Sequence, residues 1–305
     1  MDEPAPILVE VYRSIRRRPC EERALVLVAV GIQTAVTFAG TGFILWVNEA
    51  DAPQALAHLR QYETENRPPP PAPPPPRLYP YAWVGCLAYA ACLLGVAFLI
   101  SGGHVRLDAF DTGDLDPARI RAGQLWRAWT ALTLHLDGPH LAANLGVGVW
   151  FGYLAARQVG VGSAWLLIVT GAALANLTEG CFAAPDHRSA GASTAVFTAL
   201  GLMAAYSWRE RYQFPQRWAR RWGPLVAGVI LLGWTGSGGS SEEGGPGAEN
   251  IDIYGHVAGF VVGIVLGATA ALPWCRRQLE RVPQWLAGGA ALASILVAWT
   301  FALLS

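Results

Sequence analysis

The sequence predicts a polytopic α-helical membrane protein preceded by a small α/β domain. Three observations carry that reading. Hydrophobic residues make up 53% of the 305 residues and charged residues only 14%, against roughly 25% charged in an average soluble domain. Mean hydropathy is +0.31. Apolar runs recur at 81–101, 139–157, 163–182, 190–208, 223–236, 251–272 and 285–304, and a helix of about 20 apolar residues crosses a bilayer. This composition excludes a disordered chain and a coiled coil. The 22 basic residues, all arginine, balance 22 acidic ones, so no electrostatic case exists for a nucleic-acid partner.

The N-terminal region, 1–66, is expected to be a soluble cytosolic domain. Its apolar run from Ala24 to Val47 carries no charge, yet three features argue against a span. Gly31 interrupts it, and Ala39-Gly40-Thr41-Gly42 reads as a hairpin turn between two β-prone runs, Thr34–Phe38 and Phe43–Val47. Asp51 and Pro53 then open an amphipathic helix that includes Leu56, Leu59 and Tyr62. A span here would also export Arg16, Arg17, Arg18 and Arg23. Residues 20–66 therefore read as an α-β-β-α unit. Residues 67–80 form a linker whose run RPPPPAPPPPR, 67–77, is a polyproline II spacer.

Residues 81–305 form the membrane domain. Its arginines fix an orientation, because basic loops stay cytoplasmic. Arg209, Arg211, Arg217, Arg220 and Arg221 lie between the fourth and fifth runs. Arg276, Arg277 and Arg281 lie between the sixth and seventh, and Arg157 between the second and third. The loop at 237–250 has no arginine, and that at 183–189 only Arg188. Seven spans from a cytoplasmic N-terminus satisfy this alternation, with 102–138 as a long outer loop. The five cysteines are widely spaced and form no CxxC pair, which reads as buried small hydrophobes rather than metal ligands or disulfides.

Polar groups at membrane depth are functional candidates by default, and here they cluster in three places. His140 and Asn144 are one turn apart on one helix face, with Trp126, Arg127 and His135 upstream. Gly191, Ala192 and Ser193 lie near the outer end of the fourth run, with Ser193 expected about five residues into its helix, some 7–8 Å below the surface. Gly255, His256 and Gly259 lie near the outer end of the sixth. Gly255, Gly259, Gly263 and Gly267 repeat every four residues, a pattern that lets helices approach closely. If His256, Gly259 and Gly263 face Ser193, Phe197 and Gly201, the imidazole reaches the Ser193 hydroxyl: a nucleophile with its base. His140 and Asn144 then supply oxyanion donors.

These residues resemble the rhomboid family of intramembrane serine proteases over about 81–272. Trp126-Arg127 matches the family's WR pair, His140 and Asn144 its HxxxN, and His135 the upstream histidine. Gly191, Ala192 and Ser193 match its GxSG, and Gly255, His256, Ala258 and Gly259 its AHxxG, with Asp252 where an acidic residue is frequent. Thr194 stands where glycine is usual, beside the nucleophile, and Gly255 where alanine is usual. The resemblance implies a six-helix rhomboid-like core, here with a seventh C-terminal helix. It implies a serine endopeptidase using a Ser193–His256 dyad, with His140 and Asn144 as the oxyanion hole and His135, Gly191, Trp126, Arg127 and Gly259 in support. It implies a mobile cap at 236–247 and a lateral gate in the short fifth span. The expected partners are transmembrane protein substrates and the lipid bilayer; no cofactor or metal is expected. The expected site is the inner (plasma) membrane, multi-pass, with a cytoplasmic N-terminus. The alternative is an inactive rhomboid-like protein that binds and retains clients.

Overall fold

A computed structural model describes residues 7–67, 78–102, 108–210, 222–223, 225–230, 233 and 252–305. The Pro-rich run, most of the basic loop after residue 210, and the expected cap lie outside these residues. So does part of the fifth run, the expected gate, of which 225–230 is helical. The chain divides into two compact units, Met1–Pro75 and Pro76–Ser305.

The first unit contains strand β1 (Leu8–Ser14), helix α1 (Arg17–Ala29), strands β2 (Thr34–Ala39) and β3 (Gly42–Asn48), and helix α2 (Ala52–Glu65). The sheet is antiparallel in the order β1-β3-β2. The two residues between Ala39 and Gly42 close a tight hairpin, in which Gly40 takes φ +62°, a conformation that glycine adopts without steric cost. Leu27 and Ile32 pack with Leu45 and Val47 of β3 and with Ala55 and Leu59 of α2. The run 24–47 is thus split among a helix end and two strands, and none of it forms a membrane helix. Strand β1 precedes the residues from which the α-β-β-α unit is read, so that reading lacks it; its alternating LVEVYRS places it beside β3.

The second unit is helical. Helix α3 (Trp83–Ser101) leads into a loop that holds the short helices α4 (Ala109–Gly113), α5 (Pro117–Arg121) and α6 (Arg127–Thr130). The long helices α7 (Gly138–Val159), α8 (Val161–Phe182), α9 (Ser193–Glu210) and α10 (Ile253–Ala270) follow, then α11 (Pro273–Arg281) and α12 (Gln284–Leu304). Among the described residues four helices, α3, α8, α10 and α12, are long and apolar enough to cross a membrane. Helix α7 carries polar residues in its first and last turns, and α9 is buried in the protein from Thr194 to Ser207. Helix α11 occupies the stretch read from sequence as a basic loop.

Helices α9 and α10 meet backbone to backbone. A Cβ added at Gly259 would sit 2.6 Å from the Thr194 carbonyl oxygen, and one at Gly263 would sit 2.3 Å from that of Thr198. At Gly267 it would meet the Leu202 carbonyl, and at Gly201, from the other helix, that of Phe260. The glycine stripe therefore faces Thr194, Thr198 and Leu202, one row over from the Ser193–Phe197–Gly201 row expected from sequence. Of that second row, Phe197 meets His256 and Gly201 meets the backbone of Phe260 and Gly263. Helix α12 runs beside α8 and is tied at both ends. Gln284 accepts hydrogen bonds from the Gly162 and Ser163 amides (3.0 and 3.1 Å) at the start of α8. Trp299 donates to Thr133 Oγ1 (3.0 Å) beside the loop helices.

Candidate active site

The N-termini of α7, α9 and α10 and the C-terminus of α8 converge at one end of the bundle. Asp137 caps α7 by accepting the His140 amide at 2.6 Å. Asp252 caps α10 by accepting the Gly255 amide at 2.8 Å. These caps set His140 and His256 in the first turns of their helices.

Helix α9 begins at Ser193 itself rather than five residues earlier. Two hydrogen bonds from backbone amides hold the chain out of helical geometry up to that point. The Gly191 amide donates to the Ala131 carbonyl (2.9 Å), and the Ala192 amide donates to His135 Nε2 (3.3 Å). Gly191 has φ +151°, a value that only glycine adopts readily. Ser193 thus stands at a helix N-terminus, where the first amides lack intrahelical acceptors and favour negative charge.

Gly191 also makes room. A Cβ there would lie 3.0 Å from His140 Nε2 and 3.7 Å from Ser193 Oγ. His140 and Ser193 therefore border the same small space. His256 lies next to it, 8% exposed, its ring stacked on Phe197 with centroids 4.6 Å apart. Phe197 is one turn below Ser193. Among the described residues no hydrogen bond joins Ser193 to His256, and His256 Nδ1 is buried without a partner. Among the described residues no carboxylate is hydrogen-bonded to His256 Nδ1. Asn144 is buried and donates its amide to the His140 carbonyl (3.0 Å), while Tyr89 Oη donates to the Asn144 carbonyl (2.9 Å). Thr194 does not crowd the nucleophile: its Cγ2 is turned toward Gly259, 3.2 Å from where a Cβ would be.

His135 is the acceptor that fixes Ala192, so its Nε2 must be unprotonated. Burial, with His140 beside it (ring centroids 5.2 Å), pushes its pKa down to about 4. Arg127 lies deeper, 1% exposed. It donates to the Asp114 carboxylate (2.8 Å) and to the carbonyls of Asp111 and Asp114. Asp114 also takes Arg188 (2.9 Å), and Arg188 reaches Asp116 (2.9 Å). A two-residue bridge, Leu115 to Ser189, runs alongside. Trp126 supplies its carbonyl to the Thr130 amide (3.1 Å). Sequence reasoning singles out Arg127 but misses its partner Asp114, and with it the Arg188 that Asp114 also binds; both lie in loops and in no motif.

An apolar helical bundle with serine, histidine and asparagine gathered at one end defines a class: a helical membrane protein with a polar site among its helix ends. Residues 122–272 match the rhomboid domain. The chain is 29% identical over 176 residues to rhomboid protease GluP of Bacillus subtilis (strain 168), a match that covers 57% of this chain and 32% of that protein. It is 27% identical over 171 residues to rhomboid-like protease 2 of Toxoplasma gondii, covering 55% of this chain and 54% of the relative. The matched region thus spans between a third and just over half of the length of these relatives. The chain belongs to the rhomboid family.

Proposed function

We propose that the protein is an intramembrane serine endopeptidase that cleaves transmembrane segments of membrane proteins. The observation that carries this reading is Ser193 at the first position of α9, bordering one space with His140, with His256 stacked a turn below it. His256 acts as general base on Ser193 and then as general acid to the leaving amine. The Ser193–His256 hydrogen bond closes in the substrate complex, since catalytic bonds are often long or poorly aligned in the free enzyme. The oxyanion is held by His140, by the Asn144 amide hydrogen not given to His140, and by the Ser193 amide, which faces outward at the helix start. The glycine stripe is what allows the base to approach the nucleophile's helix so closely.

The architecture proposed around this site is a six-helix core, residues 81–272, plus a seventh helix, α12. Residues 1–66 form a cytosolic domain and 67–80 a linker. The plasma membrane is the proposed location, with the N-terminus in the cytoplasm. A cysteine introduced as Ala5→Cys is expected to resist an impermeant thiol reagent in intact cells; labelling there would reverse the orientation.

The test of function is labelling by a serine-reactive fluorophosphonate together with cleavage of a model transmembrane substrate in detergent. Wild type labels and cleaves. Ser193→Ala and His256→Ala each lose both, and the double variant is no worse than either, because the two act as one unit. Cleavage by Ser193→Ala above background overturns the nucleophile. A wild type that neither labels nor cleaves, yet retains membrane proteins, is instead an inactive client-binding relative.

A further inference from the structure

A second cluster of chemically competent groups lies at the same end of the bundle, outside the machinery above. Glu179 is near the C-terminus of α8, His187 is in the loop that follows, and Asp252 is the N-cap of α10. One ligand atom from each lies within 4.8 Å of the others. His187 Nε2 is 2.6 Å from Glu179 Oε1 and 3.9 Å from Asp252 Oδ1. Four-coordinate ligands about 2.1 Å from a zinc ion stand roughly 3.4 Å apart, between these two separations.

Two further observations point to a ligand. Glu179 is 4% exposed, and its Oε2 is buried with no hydrogen-bond partner. An unpaired carboxylate oxygen at that depth is costly unless a cation meets it. Moreover, two carboxylates converge over the same glycine. A Cβ at Gly255 would stand 2.2 Å from Asp252 Oδ2 and 2.8 Å from Glu179 Oε2. The position where the rhomboid pattern usually has alanine is glycine here, and it leaves room for both carboxylates. Their mutual repulsion in a low-dielectric setting is relieved by positive charge between them.

We propose that Glu179, His187 and Asp252 bind a divalent metal ion of the Zn2+ or Mn2+ type, with water completing the coordination. Two carboxylates and a neutral imidazole neutralise a double positive charge and match the mixed nitrogen–oxygen preference of these ions. The ion ties the end of α8, the loop at 183–192 and the first turn of α10 into one node. Asp252 lies one turn before His256, so occupancy fixes the segment that carries the imidazole. The site is a regulatory or structural staple, and it does not depend on the protein being a protease.

The full chain in detergent, stripped with a chelator, re-equilibrated with Zn2+ and desalted, is assayed for bound zinc and thermal unfolding. Wild type is expected to keep about one equivalent and to melt at higher temperature when loaded, since the ion binds only the folded state. His187→Ala and Glu179→Gln are each expected to lose the retained equivalent and the shift in Tm. His140→Ala is expected to keep both, which separates this cluster from the histidines around Ser193. Wild type retaining no more zinc than His187→Ala overturns the site, as does retention that disappears in His140→Ala. Glu179→Gln preserves side-chain shape, so its result stands if His187→Ala fails to fold. Binding is the readout, so an inactive protein with a full site and an active one with no site are distinct results.

Discussion

Across the candidate site stand two walls. One is the α9–α10 pair, where glycine backbones touch carbonyls and almost no charge is involved. The other is the pair of loops 108–137 and 183–192, where Arg127, Asp114, Arg188 and Asp116 are locked by charge-assisted bonds. The first wall carries Ser193 and His256; the second carries His135 and presents His140 and Gly191. Helices in lipid gain nothing from the hydrophobic effect on meeting each other, so close van der Waals approach does the work. Loops have many backbone polar groups to satisfy, and at a bilayer boundary buried arginines and carboxylates supply the partners. The same site is thus built by shape on one side and by charge on the other.

Breaking the charged wall is expected to have the larger effect on stability. Removing one partner of a buried ion pair leaves the other unpaired and costs about 3–5 kcal/mol. Asp114→Ala strands Arg127 and half of the Arg188 bonding together. It should lower Tm strongly and expose the 183–192 loop to proteolysis, while α9 and α10 stay helical by circular dichroism. An unchanged Tm would mean that the loops are held by the backbone bridge at Leu115 and Ser189 alone.

The shape-built wall responds differently. Gly263→Ala puts a methyl 2.3 Å from the Thr198 carbonyl, so the helices must separate. Overpacking of this kind costs about 1–3 kcal/mol, less than loss of Asp114. Its effect on cleavage should nonetheless be the more complete, because it moves His256 away from Ser193. Activity retained by Gly263→Ala with a normal Tm would show that the pair has slack. Gly95, with open space around its Cα, is the control: Gly95→Ala should change neither.

How far the two walls were legible in the sequence follows from how each is built. Shape leaves a periodic trace. The glycines at 255, 259, 263 and 267 announce a close helix pair, and the motif residues of α7, α9 and α10 fall at helix ends where spacing finds them. The row that the glycines face was off by one, since a four-residue period fixes a stripe but not its partner. Charge pairing across loops leaves no period. Asp114 and Arg188 are 74 residues apart, as are the members of the Glu179–His187–Asp252 cluster by up to 73, and only folding brings them together. The start of the helix that carries Ser193 differs from the expected one for a related reason. Hydropathy extends an apolar run back to 190, but the helix cannot start before Gly191 and Ala192 have given their amides to Ala131 and His135.

The smallest expected effect tests the seam where the loop wall leads into α9, the bond from the Ala192 amide to His135 Nε2. His135 has its pKa pushed from 6.5 down to about 4 by burial and by His140. For a histidine with a depressed folded value, the unfolded chain takes up a proton that the folded one refuses. Stability is then full above about 6.5 and falls as pH drops from there toward 4. Protonation at Nε2 would also turn the acceptor into a donor and break the hold on Ala192, loosening the start of α9. His135→Gln keeps an acceptor but cannot titrate. It should melt slightly lower than wild type at pH 7.5 and show a smaller drop in Tm between pH 7 and pH 5. Because the ring is only half-buried, the difference at pH 5 should be on the order of 1 kcal/mol after discounting for solvent screening. The comparison is between the two pH slopes, so titration of the other five histidines cancels. Equal slopes would mean that His135 does not hold the seam in its neutral form, and that Gly191 and its bond to Ala131 alone set where α9 begins.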